Sequence, residues 1–417
     1  MSRNKSPFVL PISADNPPRQ RIGLSIALDG AGWHPAAWRE SGARPADLFT
    51  SSYWADLVTE AERGLLDFVT IEDSLGLQSD HFGTGADNRT DQVRGRLDAA
   101  MLASALGPIT SSIGLIPTVT ATHTEPFHIS KTIATLDYAS HGRAGWRVQV
   151  SSRRHEAAHF GRRDIPEIDR RWSQTDDGRR VIGALFEEAA DSIEVVRRLW
   201  DSWEDDAEIR DAATGRFVDR DKLHYIDFEG ESFNVKGPSI TPRPPQGQPV
   251  VTALAHAPIP YELAARGADL VFITPQTIDE VPQLIGQVRS AEETVGRTGT
   301  PLLIHADLLV LLDATEHAAE ERLARLNDTA GAKLRSDAAI LATTPEKLAE
   351  LLIRWSAVGL DGFRLRPAVL PDDLKQITRG VVPALQKANA FRHRYSTDTL
   401  RGHLGLPAAV NRYAAIA

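Results

Sequence analysis

Short runs of β-branched and other apolar residues alternate along the chain with stretches in which apolar side chains recur at helical spacing, the pattern of repeated βα units around a parallel sheet. Eight such runs stand out: RIGLSIALD (21–29), LDFVTIED (66–73), SSIGLIPTVTAT (111–122), AGWRVQVSS (144–152), PVVTALAH (249–256), DLVFITP (269–275), PLLIHADLLVLL (301–312) and DGFRLRP (361–367). Eight strands close a barrel, so the expected fold class is α/β, a (β/α)8 TIM barrel with insertions. Among the intervening helices, YWADLVTEAERG (53–64) puts Leu57, Ala61 and Leu65 on one stripe, and PYELAARGA (260–268) ends at Gly267 with an arginine in its last turn.

The gap between the fourth and fifth runs is too long for one connection. It holds an apolar-striped helix, VIGALFEEAADSIEVVRRLWDSW (181–203), then an acidic stretch and strand-like pieces around HYIDFEG and SFNV. Loops on the carboxyl ends of barrel strands carry the chemistry of this fold, so the insertion, about 153–240, is expected to be a lid on a single domain spanning 1–417. GAKLRSDAAILATT (331–344) reads as irregular, and about 391–417 as a polar tail. The glycines of GTG (83–85) and GRTGT (296–300) read as turns.

Composition narrows the chemistry. The formal net charge of -9 gives no general attraction to nucleic acid or anionic membranes. There are no cysteines, which excludes disulfides, thiolate metal sites and a cysteine nucleophile. The first residues carry prolines and charges rather than the apolar core of a signal peptide, and no segment approaches a membrane span, so a cytoplasmic location is expected.

The strand ends supply Asp29, Glu72, Asp73, Thr118, Thr120, Thr122, Ser151, Ser152, His256, Thr274, His305, Asp307, Arg364 and Arg366. A hydrolytic metal centre would want converging His and Asp or Glu groups, with spacing such as His-x-His on the first strand, which offers none; no metal is expected. His305 and Asp307 share a face of the seventh run and read first as a hydrogen-bonded core pair. Neither a G-x-S-x-G elbow nor a phosphate loop is present. A mouth of hydroxyls, a few acids, imidazoles and tryptophans (Trp33, Trp38, Trp146, Trp172) suits a flat, polar-rimmed aromatic ligand that brings its own reactivity, as a flavin does, although any one tryptophan could equally be a packing residue.

The segment EPFHISKTIATLDYASHGRAGWRVQVSSRRHEAAHFG (125–161) resembles the bacterial luciferase-like flavin monooxygenases, in the branch of nitrilotriacetate, dibenzothiophene-sulfone and long-chain alkane monooxygenases, where a "TLDHLSGGR" helix end, a "GWNxVTS" strand and "AARNFG" follow one another. LDFVTIEDSLG (66–76), PRPPQGQPVVTALAHAPIPYELAARGADLVF (242–272) and LRGHLGLP (400–407) look like the same branch. The resemblance implies reduced FMN made by a separate flavin reductase, O2, a small organic substrate and a homodimer or homotetramer. It matches Asp73 to an acid at the flavin and Ser151 to the polar residue ending strand four, and it implies cofactor contacts at Thr120 as well.

Other positions depart. The family's strand-four Asn and Thr are Arg147 and Val150 here, the Tyr after "NFG" is Trp172, and its Gly-Ser-Ser phosphate grip is Ala255, His256 and Ala257. Arg147 could meet the phosphate bidentately, or pair with Asp73 or Glu125. His34 and Arg39, in GWHPAAWRE (32–40), are the substrate-contact candidates, because the family has a "His…Trp-Arg" phrase in that loop. The expected activity is oxygenation of a small organic molecule; the alternatives are deazaflavin-dependent hydride transfer on the same barrel and a non-catalytic flavin-binding partner subunit.

Overall fold

All eight runs become strands of one closed parallel barrel, a computed structural model describing residues 21–78, 88–169 and 171–414. In chain order the strands are β1 (Gly23–Leu28), β2 (Phe68–Ile71), β3 (Gly114–Thr120), β4 (Gly145–Gln149), the small β5 (Glu208–Asp211), β6 (Arg216–Val218), β7 (Phe228–Glu229) and β8 (Asn234–Val235), then β9 (Val250–Leu254), β10 (Leu270–Ile273), β11 (Leu303–Leu312), β12 (Ala339–Thr343) and β13 (Gly362–Pro367). The wall runs β1-β2-β3-β4-β9-β10-β11-β13 and closes between β13 and β1. GTG at 83–85 lies outside the described residues.

Of the stretch expected to be irregular, 331–338 is so, but its last residues form a strand. β11 is ten residues long. Its first half pairs with β10, and its second half outruns that neighbour and pairs Leu308–Leu312 with Ala339–Thr343. The edge left exposed by the length of β11 thus turns a weak AILAT signal into β12.

The outer helices are α1 (Ser51–Arg63), α2 (Ala99–Leu106), α3 (Pro126–Ala139), α4 (Arg154–Phe160), α5 (Asp176–Asp201), α6 (Pro258–Gly267), α7 (Val281–Thr294), α8 (Glu316–Ala330) and α9 (Pro345–Ser356). Threonine side chains start several of them: Thr50, Thr175, Thr315 and Thr344 each accept from an amide three residues on, satisfying a donor the helix itself cannot. In α1, Leu57 and Ala61 are buried as expected, while Leu65 lies beyond the helix end at φ +58.

The stretch between β4 and β9 is not all insertion. α5 is an ordinary barrel helix between α3 and α6: Trp200 Nε1 donates to Ser130 O at 3.0 Å, and a Cβ on Gly267 would stand 2.6 Å from Ile193. The added pieces are α4 with the chain leading to α5, and the β5–β6 and β7–β8 hairpins after it.

The tail closes the barrel from below. Leu400, Leu404 and Leu406 are buried against Phe68, Ile116, Val250, Leu270 and Phe272 at the amino ends of the strands. Arg401 reaches Asp269, which also receives Arg197 at 2.8 Å.

Candidate active site

Side chains alternate across each strand, so Trp146 faces the helices and Arg147 faces the lumen. Trp146 is fully buried, with Nε1 on Val119 O at 3.0 Å. Arg147 Nη1 donates to Glu72 Oε2 at 2.8 Å and to Thr118 Oγ1 at 3.0 Å. Because Glu72 is the first residue past β2, the Arg147 guanidinium stands level with the barrel mouth. Across the lumen, Arg364 Nε donates to Asp307 at 2.8 Å and Nη1 to Glu72 at 3.2 Å, and Arg366 joins Asp307 to Asp337 on the rim. Arg364 lies 4.0 Å over the Phe272 ring and Arg366 4.6 Å over Trp33, so aromatic faces carry part of the charge.

Burial alone would push the carboxyls of Glu72 and Asp307 up. Arg147 and Arg364 beside the first, and Arg364 and Arg366 beside the second, reverse this and hold both below the usual carboxylate range. Asp307 is therefore held between two arginines, and His305 stacks on Phe68 at 6.2 Å. Among the described residues no group of three or more His, Asp and Glu is arranged to hold a metal ion.

The residues singled out in the sequence fall into three places. Thr120, Ser151, Val150, Ala255 and His256 are at the carboxyl ends of β3, β4 and β9. Thr120 donates to Gln149 Oε1 at 2.8 Å, and Ser151 Oγ to the buried Glu156 at 2.5 Å. Ala255 is buried and His256 exposed at the start of α6. Val150 and Trp172 pack with Ile165, Ile168 and Leu185 where the added chain meets the barrel. Asp73 turns outward: its carboxylate accepts from the amides of Ser74 at 2.8 Å and Ala99 at 2.9 Å and so anchors α2. Burial raises its pKa.

His34 and Arg39 are tied to α8. His34 Nδ1 accepts from Ala36 N at 3.1 Å, its Nε2 meets Asn327 at 3.3 Å, and burial lowers its pKa. Arg39 is exposed, 5.0 Å over the Trp38 ring. Arg147 pairs with neither Asp73 nor Glu125, the partners considered from sequence; Glu125 is met by Arg162 instead.

Sequence reading passed over Arg96 and His123. Arg96 donates to Asp29 at 2.8 Å and to Ser74 Oγ at 3.0 Å, spanning the ends of β1 and β2. His123 follows β3 at φ +74, a left-handed conformation that is strained for a histidine, and its ring stacks on Phe160 of α4 at 5.2 Å. The loop after β2 passes so near α4 that a Cβ on Gly76 would stand 2.7 Å from His155 Nε2. Five buried polar atoms in this quarter lack a hydrogen-bond partner: Gln78 Oε1, His123 Nε2, Arg147 Nε, His155 Nδ1 and Thr252 Oγ1. Arg147 and Thr252 lie within β4 and β9, His123 in the loop after β3, His155 in α4, and Gln78 in the segment after β2, with its amide on Asp29. Buried polar groups without partners are rare in native folds, and several of them on and above adjacent strands fit a polar ligand.

The family model for luciferase-like monooxygenases matches residues 31–354. The chain belongs to this family. It is 30% identical over 458 residues to N-acetyl-S-(2-succino)cysteine monooxygenase of Bacillus subtilis (strain 168), covering 95% of this chain and 99% of that protein. It is likewise 30% identical over 465 residues to nitrilotriacetate monooxygenase component A of Aminobacter aminovorans, covering 95% and 98%. Among solved structures, the EDTA monooxygenase of Chelativorans sp. BNC1 superposes with a TM-score of 0.78 at 24% identity, over 93% of this chain and 99% of that one. The family branch read from 125–161 is the one these relatives occupy, and the barrel is the family's fold.

Proposed function

We propose that the protein is a flavin-dependent monooxygenase that takes reduced FMN from a separate reductase and uses O2 to oxygenate a small organic substrate at the barrel mouth. The observation that carries this reading is the set of five unpartnered buried polar atoms on β4 and β9 and in the segments beside them, in a family whose named relatives are monooxygenases.

The residues present fit the cofactor. α6 begins at Pro258 shortly after β9, and prolines at 258 and 260 leave Ile259 as the amide donor of its first turn. That amide, the positive end of the helix dipole and exposed His256 would together meet a phosphate. His256 is thus the one side-chain donor in Ala255–His256–Ala257, where the family has Gly-Ser-Ser. Arg147 and Thr252 would meet the ring, with Thr120 and Ser151 lining its edge. FMN supplies the redox chemistry when bound, passing electrons to O2 so that one oxygen atom can reach the substrate.

The chain's own part is binding, orientation and exclusion of water. α4 and the chain leading to α5 cover the β4 end with Val150, Ile165, Ile168 and Leu185 and act as the lid, whereas β7–β8 packs on α3 and α5, and the chain joining the hairpins meets the tail; His34 and Arg39 remain substrate-contact candidates only if the β1 loop shifts off α8. A homodimer is supported by α2, where Met101 (72% exposed) and Ile109 just after the helix (52%) form an apolar outward face beside the polar outward face of α1. Among the described residues no helix is long and apolar enough to cross a membrane, in keeping with a cytoplasmic enzyme.

Anaerobic titration with photoreduced FMN tests the reading. Saturable binding at micromolar levels, and altered flavin oxidation when air is admitted, are expected. Preference for a reduced deazaflavin would replace the oxygenase by a hydride-transfer enzyme. Retention of oxidised flavin with no O2 consumption beside a reductase would make the chain a partner subunit.

A further inference from the structure

The mouth holds three arginines whose charge is met unequally. Arg147, Arg364 and Arg366 have side chains 7%, 0% and 2% exposed, and the buried carboxylates among them are Glu72 and Asp307, at 8% and 0%. Asp337, the third acid in contact, is 41% exposed on the rim and is held low, against the effect of burial, by its bond to Arg366. Three guanidiniums thus meet three carboxylates, but Arg147 pairs with Glu72 alone and shares it with Arg364.

The least satisfied of the three is Arg147. Arg364 donates through Nε, Nη1 and Nη2, and so does Arg366, but Arg147 leaves Nε unpartnered. In register beside it on β9 is Thr252, fully buried, whose Oγ1 is also unpartnered. Burial lowers the Arg147 pKa, the mark of a cation held where charge is costly.

We infer that Arg147, with Thr252 beside it, is a cofactor-tuning residue that selects a ring carrying a single negative charge. On the flavin reading, on which this rests, that ring is reduced flavin. Reduction places two electrons on the ring system, and the reduced ring readily loses a proton from its pyrimidine portion, whereas the oxidised ring is neutral. A fixed positive charge near that portion favours the reduced form. The site would thereby capture the form delivered by a reductase and release the oxidised form.

The test compares anaerobic dissociation constants of FMN and reduced FMN in the wild-type protein, Arg147→Gln and Arg147→Lys, with circular dichroism as a check on folding. Wild type is expected to bind the reduced form at least tenfold more tightly. Arg147→Gln should lose that preference, lowering the midpoint potential of bound flavin by about 30 mV for each tenfold lost. Arg147→Lys, which keeps the charge, should retain part of it and speaks to the question if the glutamine variant does not fold. If both forms bind every variant with the wild-type ratio, the inference is overturned and the flavin reading stands. If wild type binds neither form, the flavin reading fails and takes this inference with it.

Discussion

The barrel buries an arginine–carboxylate cluster at each end, and the two are finished differently. At the floor, Arg197 and Arg401 share Asp269, and their remaining donors go to neutral oxygens: Arg197 to Gly267 O at 2.7 Å and Gln248 Oε1 at 3.1 Å, Arg401 to Gln248 O and Pro407 O at 3.1 Å each. At the mouth, Arg147 has Glu72 and Thr118 but nothing for Nε. Buried arginine–carboxylate pairing is therefore not what distinguishes a site here, since both ends have it. The floor is closed by carbonyl dipoles and serves the fold, whereas the mouth keeps a donor in reserve.

Breaking the floor should be the most damaging change. Asp269→Ala leaves Arg197 and Arg401 buried without a counter-charge and should cost about 3–5 kcal/mol, read from the shift in urea midpoint. A loss below about 1 kcal/mol would show that the carbonyls suffice and that the two ends differ less than proposed. Leu400→Ala should follow at about 3 kcal/mol, because Leu400 is fully buried and Gly114, within contact, cannot refill the space.

At the mouth, Arg147→Gln should cost only about 1–2 kcal/mol, since Glu72 keeps Arg364. Equal losses in Asp269→Ala and Arg147→Gln would erase the distinction.

The pH dependence sharpens the comparison at the next level. Burial raises the Asp269 carboxyl, but Arg197 and Arg401 more than reverse this, as Arg147 and Arg364 do for Glu72, so both acids are depressed in the fold. A depressed carboxyl contributes stability that is fully present above its unfolded pKa, about 4, and is lost as pH falls through the lower folded value. The contribution of these two acids should accordingly be constant through neutrality and be lost below about pH 4. Asp269→Asn should take up fewer protons on acid unfolding than wild type, measured from the slope of unfolding free energy against pH. The smallest effect is expected for exposed His256: His256→Ala should change stability by less than about 0.5 kcal/mol while weakening FMN binding a few-fold, a separation of fold from ligand that titration and melting together would reveal.

The barrel was legible because its signal is local. Each of the eight runs is a contiguous apolar stretch, and each became a wall strand within a few residues of its expected ends. Two elements were not legible. β12 exists because β11 outruns β10, a relation of lengths between distant segments, and α5 was taken as part of a lid because its stripe does not say which neighbours it meets. The site divides the same way. The strand ends gave Thr120 and Ser151, and the resemblance singled out Arg147, yet the partner of Arg147 lies 75 residues back, and the immediate neighbour of that partner, Asp73, faces the other way. Arg96 and His123 sit in loops without periodicity, where sequence offers no direction for a side chain.

The leucine plug has a consequence for how the molecule comes into being. As a ribosome extrudes the chain, the wall is complete once β13 has emerged, but residues 400–406 appear only afterwards. In that interval the nascent barrel is an apolar tube open at its lower end, with Phe68, Ile116, Val250, Leu270 and Phe272 facing water. Synthesis of the tail is thus the step that corks it, and chaperones and proteases meet the tube before they meet the enzyme.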